Sequence, residues 1–222
     1  MKKIFLIIIV TLSSYVSVAY ALTERHLILI RHAECEHNAK GVYNSNPKHP
    51  DYRPAHLTVQ GKKQAISTAE RLVLHGFDNR NIAAVYISPL PRARETAEII
   101  AEYGVFSKDK IHIDERLIEA QAGELEGQLI SKHSKDAWHV SLEEHQKYEL
   151  ETNYDVRKRI MSVYDDAEKK YPNGHVIFIT HGLPAMELLQ DIVQIEVRLN
   201  PADTYLLPLV SRSNGEAGAK LG

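Results

Sequence analysis

The sequence of 222 residues lacks several features that would indicate a particular partner or stabilising device. Its single cysteine, Cys35, cannot form a disulfide within the chain, so stability has to come from packing. The formal net charge of −2 is close to neutral and gives no indication of nucleic-acid binding. Neither a P-loop nor the glycine fingerprint of dinucleotide-binding folds is present, so any phosphate site would have to be built from side chains.

The one long apolar run lies at the N-terminus and has the layout of a secretory signal peptide. Lys2 and Lys3 precede an apolar core at 4–10, and Ala-Tyr-Ala at 19–21 forms a small-x-small cleavage site. An uncleaved anchor is the alternative, because the stretch to Ala21 is roughly long enough to span a bilayer. Four hydroxyl residues within it favour cleavage. We therefore predict that residues 1–21 are removed, that no stable membrane insertion remains, and that the bacterial protein is periplasmic or secreted.

Residues 22–210 are predicted to form one α/β domain, followed by a flexible tail at 211–222. Apolar runs typical of strands occur at 27–30, 82–89, 110–114, 175–182 and 204–210. Helical periodicity occurs between them, at 58–76, 92–104, 156–174 and 184–193. This alternation predicts a mostly parallel sheet flanked by helices. Two irregular segments, 41–56 and 128–153, are candidates for lids over a site.

Polar residues stand where the predicted strands end, or just beyond. They are Arg31 and His32, Ser88 and Arg92, Glu119, and His181 with Gly182. Because parallel strands share one carboxyl edge, two arginines, two histidines and one carboxylate are expected to converge there. A pocket with such a positive field and with forked guanidinium donors suits a phosphoryl group.

Five ordered motifs carry a resemblance to a known family. They are "LIRHAECEHN", "LTVQGKKQA", "SPLPRARETA", "RLIEAQAGELEG" and "THG". In this order and spacing the chain resembles the phosphoglycerate-mutase-like branch of the histidine phosphatase superfamily, from about Leu27 to about Leu207. One departure is Ala33, where the family commonly has glycine. The resemblance implies a three-layer sandwich with a mostly parallel central sheet.

The resemblance also assigns roles at the strand ends. His32 corresponds to the nucleophile that becomes a phosphohistidine, and Glu119 to the proton donor for the leaving oxygen. Arg31, Arg92 and His181 correspond to the remaining catalytic, phosphate-holding side chains. Three further positions match motif residues that bind phosphate or support its binding: Asn38, Thr58 and Gly182.

The expected activity is metal-independent hydrolysis of a small-molecule phosphate monoester, with no cofactor and no metal site. A cofactor-dependent phosphoglycerate mutase and a non-catalytic phospho-ligand binder are the alternatives. Cys35 is disfavoured as a nucleophile, because a cysteine phosphatase has an arginine five residues later and this chain has Lys40. The sequence leaves the natural substrate and the oligomeric state open.

Overall fold

The computed structural model describes residues 25–133 and 142–210, and the predicted signal peptide and C-terminal tail lie outside these ranges. The strands are β1 (His26–Arg31), β2 (Ile82–Ile87), β3 (Ile111–Ile113), β4 (His175–Thr180) and β5 (Thr204–Pro208). The α-helices are α1 (Glu36–Lys40), α2 (Val59–Leu74), α3 (Pro91–Glu102), α4 (Leu142–Lys147), α5 (Asn153–Lys170) and α6 (Gly182–Val193). Short 3₁₀ turns connect several of these elements.

The strands form one sheet in the order β3-β2-β4-β1-β5. The pairs β2–β3, β2–β4 and β1–β4 are parallel, and only β5 runs antiparallel, against β1. Leu27 of β1 faces Val176 of β4 on one side and Leu207 of β5 on the other. The predicted α/β class with a mostly parallel sheet is confirmed.

Helices cover both faces of the sheet, which explains why β1 and β4 are continuous apolar runs. Alternate residues of β1 point to opposite faces. Leu27 and Leu29 pack with α5 and α6 residues such as Tyr164. Ile28 and Ile30 pack with residues of α2 and α3 on the other face. Truncating any one of these buried aliphatic residues to alanine would cost about 2–5 kcal/mol of unfolding free energy.

The start of α5 differs from the predicted start because a capping residue begins the helix earlier. Helix α5 starts at Asn153, three residues before the predicted start, because the Thr152 hydroxyl caps it by accepting from the Asp155 backbone N–H at 3.2 Å. The 128–153 segment contains α4 and a 3₁₀ turn, although its polar composition predicted only an irregular segment. In residues 25–133 and 142–210, no helix has the length and apolar character needed to cross a bilayer.

Candidate active site

The carboxyl edge of the sheet holds the candidate residues rigidly. His32 follows β1, and its backbone N–H donates to Thr180 O at 2.9 Å, which continues the ladder with β4 by one residue. Ser88 follows β2 and donates in the same way to Ile179 O at 3.0 Å. The backbone of these strand ends is therefore fixed by sheet hydrogen bonds before any side-chain contact is made.

The His32 imidazole is fully buried and held in one tautomer. Its Nδ1 donates to Ala33 O at 2.7 Å, so Nε2 keeps its lone pair and accepts from Arg92 Nε at 3.1 Å. Burial lowers the pKa of His32 well below its ordinary value of 6.5, and the charges of Arg92 and Arg31 lower it further. His32 is consequently a neutral imidazole with its lone pair facing a guanidinium.

Arg92, in the first turn of α3, is fully buried and makes four hydrogen bonds to neutral acceptors. Its single Nε hydrogen is shared between His32 Nε2 at 3.1 Å and His181 Nδ1 at 3.2 Å. Its two terminal nitrogens donate to Asn44 Oδ1 at 2.7 Å and to Asn44 O at 2.8 Å. No described carboxylate lies within ion-pair distance of Arg92, so its charge lacks an anionic partner.

His181 stands at the N-cap of α6, directly after β4. Its ring lies edge-on to His32 with 4.9 Å between centroids. Since Nδ1 accepts from Arg92, Nε2 carries the hydrogen and donates to Ser88 Oγ at 2.6 Å. Burial, followed by the charge of Arg92, lowers the pKa of His181 well below 6.5. The sequence placed Ser88 at a strand end without a role, and the structure makes it the residue that orients His181.

Glu119 lies in the segment after β3, close to the start of α6. Its two carboxylate oxygens accept from the backbone N–H groups of Ala120 at 2.9 Å and Gly182 at 3.2 Å. Burial raises the pKa of Glu119, although Arg92 and Arg31 act in the opposite direction. Gly182 thus contributes through its backbone, by positioning the carboxylate.

Arg31, at the end of β1, is buried and oriented by the backbone. One terminal nitrogen of its guanidinium donates to Leu199 O, while its buried Nε has no hydrogen-bond partner. Burial lowers the pKa of Arg31, and the neighbouring charges that act on it include Glu119 and Arg92. Arg31 therefore lies within electrostatic range of the centre formed by His32, Arg92 and His181.

Asn38 and Thr58 form no hydrogen bond with the side chains of His32, Arg92 or His181. Asn38 Oδ1 accepts from the Cys35 backbone N–H at 3.2 Å and from the Cys35 thiol at 3.0 Å, and the residue lines the cleft described below. The Thr58 hydroxyl caps α2 by accepting from Gly61 N at 2.9 Å and donates to Glu34 Oε1 at 2.6 Å. Asn38 can reach a ligand directly, whereas Thr58 touches Glu34, which itself lines the cleft.

A cleft of about 920 Å³ opens above the centre. Arg31, Asn44 and Glu119 line it, whereas His32, Arg92 and His181 are fully buried beneath. Both irregular segments named from the sequence contribute to its walls: residues 41–45 from one and 129–131, 145, 150, 151 and 153 from the other. Two exposed cations, Lys40 and Arg198, also line it and form no ion pair or hydrogen bond with a described residue.

Asn44 and Glu126 are site residues that the sequence reasoning missed. The buried Glu126 carboxylate accepts from the backbone N–H of Ser45 at 2.9 Å, from its hydroxyl at 2.7 Å and from Asn46 N at 3.2 Å. This contact fixes the loop that presents Asn44 to Arg92. No sequence pattern pairs residues 45 and 126, so only a known tertiary structure or co-variation among relatives would have found them.

A sequence profile of the histidine phosphatase superfamily (branch 1) matches residues 27–203. The chain belongs to this superfamily. Phosphoserine phosphatase 1 of Hydrogenobacter thermophilus is 32% identical over 167 residues, which cover 71% of each chain. A 2,3-bisphosphoglycerate-dependent phosphoglycerate mutase of Thermoplasma acidophilum is 27% identical over 197 residues, 88% of each chain. The resemblance identified from the five motifs is confirmed, and the protein is a histidine phosphatase.

Solved structures agree with the fold. A mycobacterial glucosyl-3-phosphoglycerate phosphatase in complex with VO3 superimposes with a TM-score of 0.65 at 19% identity, covering 82% of this chain and 90% of the other. At that identity the likeness supports the architecture alone. The YhfR protein of Bacillus stearothermophilus superimposes with a TM-score of 0.60 at 25% identity. The superposition covers 77% of this chain and 80% of the YhfR chain.

Proposed function

We propose that this histidine phosphatase is an exported, metal-independent phosphomonoesterase that acts through a phosphorylated His32. The observation that carries the proposal is the contact between the Nε2 lone pair of His32 and the buried Arg92, which has no anionic partner among residues 25–133 and 142–210. A buried guanidinium without a carboxylate favours an anion as its ligand. A phosphoryl group bound there would lie directly beside a neutral nucleophile.

In the first step the Nε2 lone pair attacks phosphorus, the ester P–O bond breaks and its electron pair leaves with the alcohol oxygen. Phosphate oxygens replace the two Asn44 oxygens as the acceptors of Arg92. The hydrogen-bond geometry changes little, because the two terminal nitrogens of the guanidinium already donate to a pair of oxygens. Arg31 and Arg92 offset the spread negative charge, so the protein supplies the neutralisation that a metal provides in other phosphoryl-transfer enzymes.

Glu119 supplies and removes the proton. Its raised pKa favours the protonated acid, which gives its hydrogen to the departing alcohol oxygen. In the second step water attacks the phosphohistidine, the ionised Glu119 takes the water's proton, and inorganic phosphate leaves His32 restored. The two transfers share one acid–base group, as microscopic reversibility requires.

The substrate is proposed to be a small phosphate monoester that carries a second anionic group. Lys40 and Arg198 line the cleft and form no ion pair within the part of the chain that the structure describes, so they can bind a carboxylate while Arg92 binds the phosphate. Phosphoserine, the substrate named for the Hydrogenobacter relative, combines these two groups. The phosphoglycerate mutase relative makes phosphoryl transfer between two hydroxyls the second candidate activity.

Export rests on the composition of residues 1–21. Expression of the full chain in a bacterial host, followed by fractionation and N-terminal sequencing, tests it. The proposal requires a periplasmic or secreted protein that begins at Leu22. A cell-bound protein that retains Met1 would instead support the anchor.

The activity is tested with residues 22–222 in the presence of EDTA. An aryl phosphate and a panel of phosphorylated metabolites with and without carboxylates are assayed for phosphate release from pH 4.5 to 8. Activity is expected to survive chelation, to be lost in His32→Ala and to persist in His112→Ala, whose histidine lies on edge strand β3. Transfer of the phosphoryl group to a second product without release of phosphate would establish the mutase instead.

A further inference from the structure

We propose that His32, Cys35 and His37 form a binding site for a thiophilic divalent cation such as Zn²⁺, and that a bound ion switches the phosphatase off. The binding stands on the geometry of the three side chains. The inhibition rests on the proposed function, because it requires His32 to be the nucleophile.

The three side chains each offer one ligand atom, and these atoms all lie within 4.8 Å of one another. They come from the end of β1 and the start of α1, where the His-x-x-Cys-x-His spacing brings them together. Zinc holds nitrogen at about 2.0–2.1 Å and thiolate sulfur at about 2.3 Å, so side-chain shifts of about 1 Å would close the site around an ion. Two histidines and one cysteine leave a fourth tetrahedral position open.

Both histidines are held in the tautomer that a metal needs. Nδ1 of His32 donates to Ala33 O at 2.7 Å, and Nδ1 of His37 donates to Val42 O at 3.2 Å. Each ring therefore keeps its Nε2 lone pair, and a backbone carbonyl behind each ring is the usual support for a metal-bound histidine. His32 and Cys35 are fully buried, whereas His37 lines the cleft and provides a route for the ion from solvent.

Asn38 bridges two of the ligand positions in the metal-free arrangement. Its Oδ1 accepts from the Cys35 thiol at 3.0 Å, and its Nδ2 donates to His37 Nε2 at 3.3 Å. An ion would replace both hydrogen bonds. When the metal–sulfur bond forms, the thiol proton passes to solvent and no atom changes oxidation state.

The charge of Arg92 opposes binding of the ion, and the donor atoms of the three side chains set its selectivity. Arg92 donates to the same Nε2 of His32, so it must turn away when that lone pair binds a metal. A thiolate offsets one of the two charges of the ion, whereas the site holds no carboxylate for a hard cation. Thiolate and imidazole donors favour Zn²⁺ over Mg²⁺ or Ca²⁺, so inhibition should be confined to the thiophilic ions.

The experiment uses metal-stripped protein of residues 22–222, with Zn²⁺ and Mg²⁺ titrated into the phosphate-release assay. Zn²⁺ is expected to abolish release reversibly with EDTA, and Mg²⁺ to have no effect. The half-inhibitory Zn²⁺ concentration, measured relative to each variant's own uninhibited rate, should rise at least about tenfold in Cys35→Ser and His37→Gln, since even the loss of a residue that only supports a ligand typically costs that much. It should stay unchanged in the matched control His112→Gln.

Cobalt provides a readout that does not depend on activity. Co²⁺ bound to the wild-type protein should show a thiolate-to-metal charge-transfer band that disappears in Cys35→Ser and weakens in His32→Ala. Absence of this band in the wild type, or equal Zn²⁺ inhibition in wild type and both ligand variants, would overturn the site. A cobalt band on a protein without phosphatase activity would support the metal site and refute the proposed function.

Discussion

The buried centre and the cleft above it are built in opposite ways. In the centre, the side chains of His32, Arg92 and His181 are buried, and hydrogen bonds to strand ends and loop atoms fix their orientation. In the cleft wall, Lys40 and Arg198 are exposed and unpartnered among the described residues. The sheet therefore fixes the positions of the central side chains, while loops form much of the wall of the cleft above them.

Replacing Arg92 by lysine tests the centre most severely. Lysine keeps the positive charge but loses the planar fork that contacts His32, His181 and Asn44, so we expect kcat to fall about 10²–10³-fold. Steady-state kinetics with an aryl phosphate provide the measurement, with Arg94→Lys, at an exposed position two residues further along α3, as the matched control. Near-normal kcat in Arg92→Lys would show that charge alone suffices.

Glu119→Gln separates an acid from a merely structural residue. Glutamine keeps the shape but offers one acceptor oxygen where Glu119 uses two, one for Ala120 N–H and one for Gly182 N–H, and it cannot donate a carboxyl proton. We therefore expect kcat to fall about 10²-fold for alkyl phosphates. The loss should be much smaller for an aryl phosphate, whose leaving oxygen needs little protonation. Equal losses for both substrates would contradict the acid role.

The pH profile gives an independent check on Glu119. Because burial raises its pKa, kcat for alkyl phosphates should decline as pH rises through that raised pKa and the acid ionises. The decline should be absent in Glu119→Gln, whose side chain does not titrate. A decline that persists in the variant would assign the alkaline limb to another group.

Arg198→Ala tests the wall of the cleft. If Arg198 binds a second anion, KM for phosphoserine should rise about tenfold, while kcat and the KM for an aryl phosphate stay close to wild type. Arg53→Ala, an exposed arginine that does not line the cleft, is the control. Loss of kcat with both substrates would instead show that Arg198 takes part in the phosphoryl-transfer step.

Acid stability provides a smaller effect. Burial lowers the pKa of His32, His37 and His181 well below 6.5, so below about pH 6.5 the unfolded chain takes up protons that the folded chain does not. Stability is present above that pH and falls as pH decreases, by at most about 1.4 kcal/mol per unit for each histidine. Glu119, with its raised pKa, partly offsets this below its folded pKa.

Urea unfolding at pH 7.5 and 5.5 measures this effect. The unfolding free energy of the wild type should be lower at pH 5.5, and the difference should be smaller in His37→Gln, since one of the buried histidines with a strongly lowered pKa is removed. Equal stability at the two pH values would contradict the assignment of neutral buried histidines.

The residues that converge in the buried centre could be predicted from the sequence better than those of the cleft wall, and the reason is physical. Arg31, His32, Arg92 and His181 stand where apolar strands end, and parallel strands bring their carboxyl ends to one edge. Their convergence therefore follows from the topology. The assignment of Glu119 rather than its acidic neighbours came only from the motif, because its place beside Gly182 depends on how an irregular segment folds back onto α6.

Loop contacts were beyond sequence reasoning. Glu126 holds Ser45, and with it the loop of Asn44, from 81 residues away, and neither hydrophobic periodicity nor a turn motif encodes that pairing. The role of Thr58 stays a prediction. Its motif indicates a part in phosphate binding, and in the structure its hydroxyl contacts Glu34 and the first turn of α2.

Trapping the phosphoenzyme tests the account most directly. Residues 22–222 are mixed with ³²P-labelled substrate, quenched within the first turnover and digested for peptide mapping. The account predicts an acid-labile, base-stable label on the peptide that contains His32, chased by water into free phosphate and absent from His32→Ala. Phosphate release without a labelled protein, or a label on Cys35 that persists in His32→Ala, would contradict it.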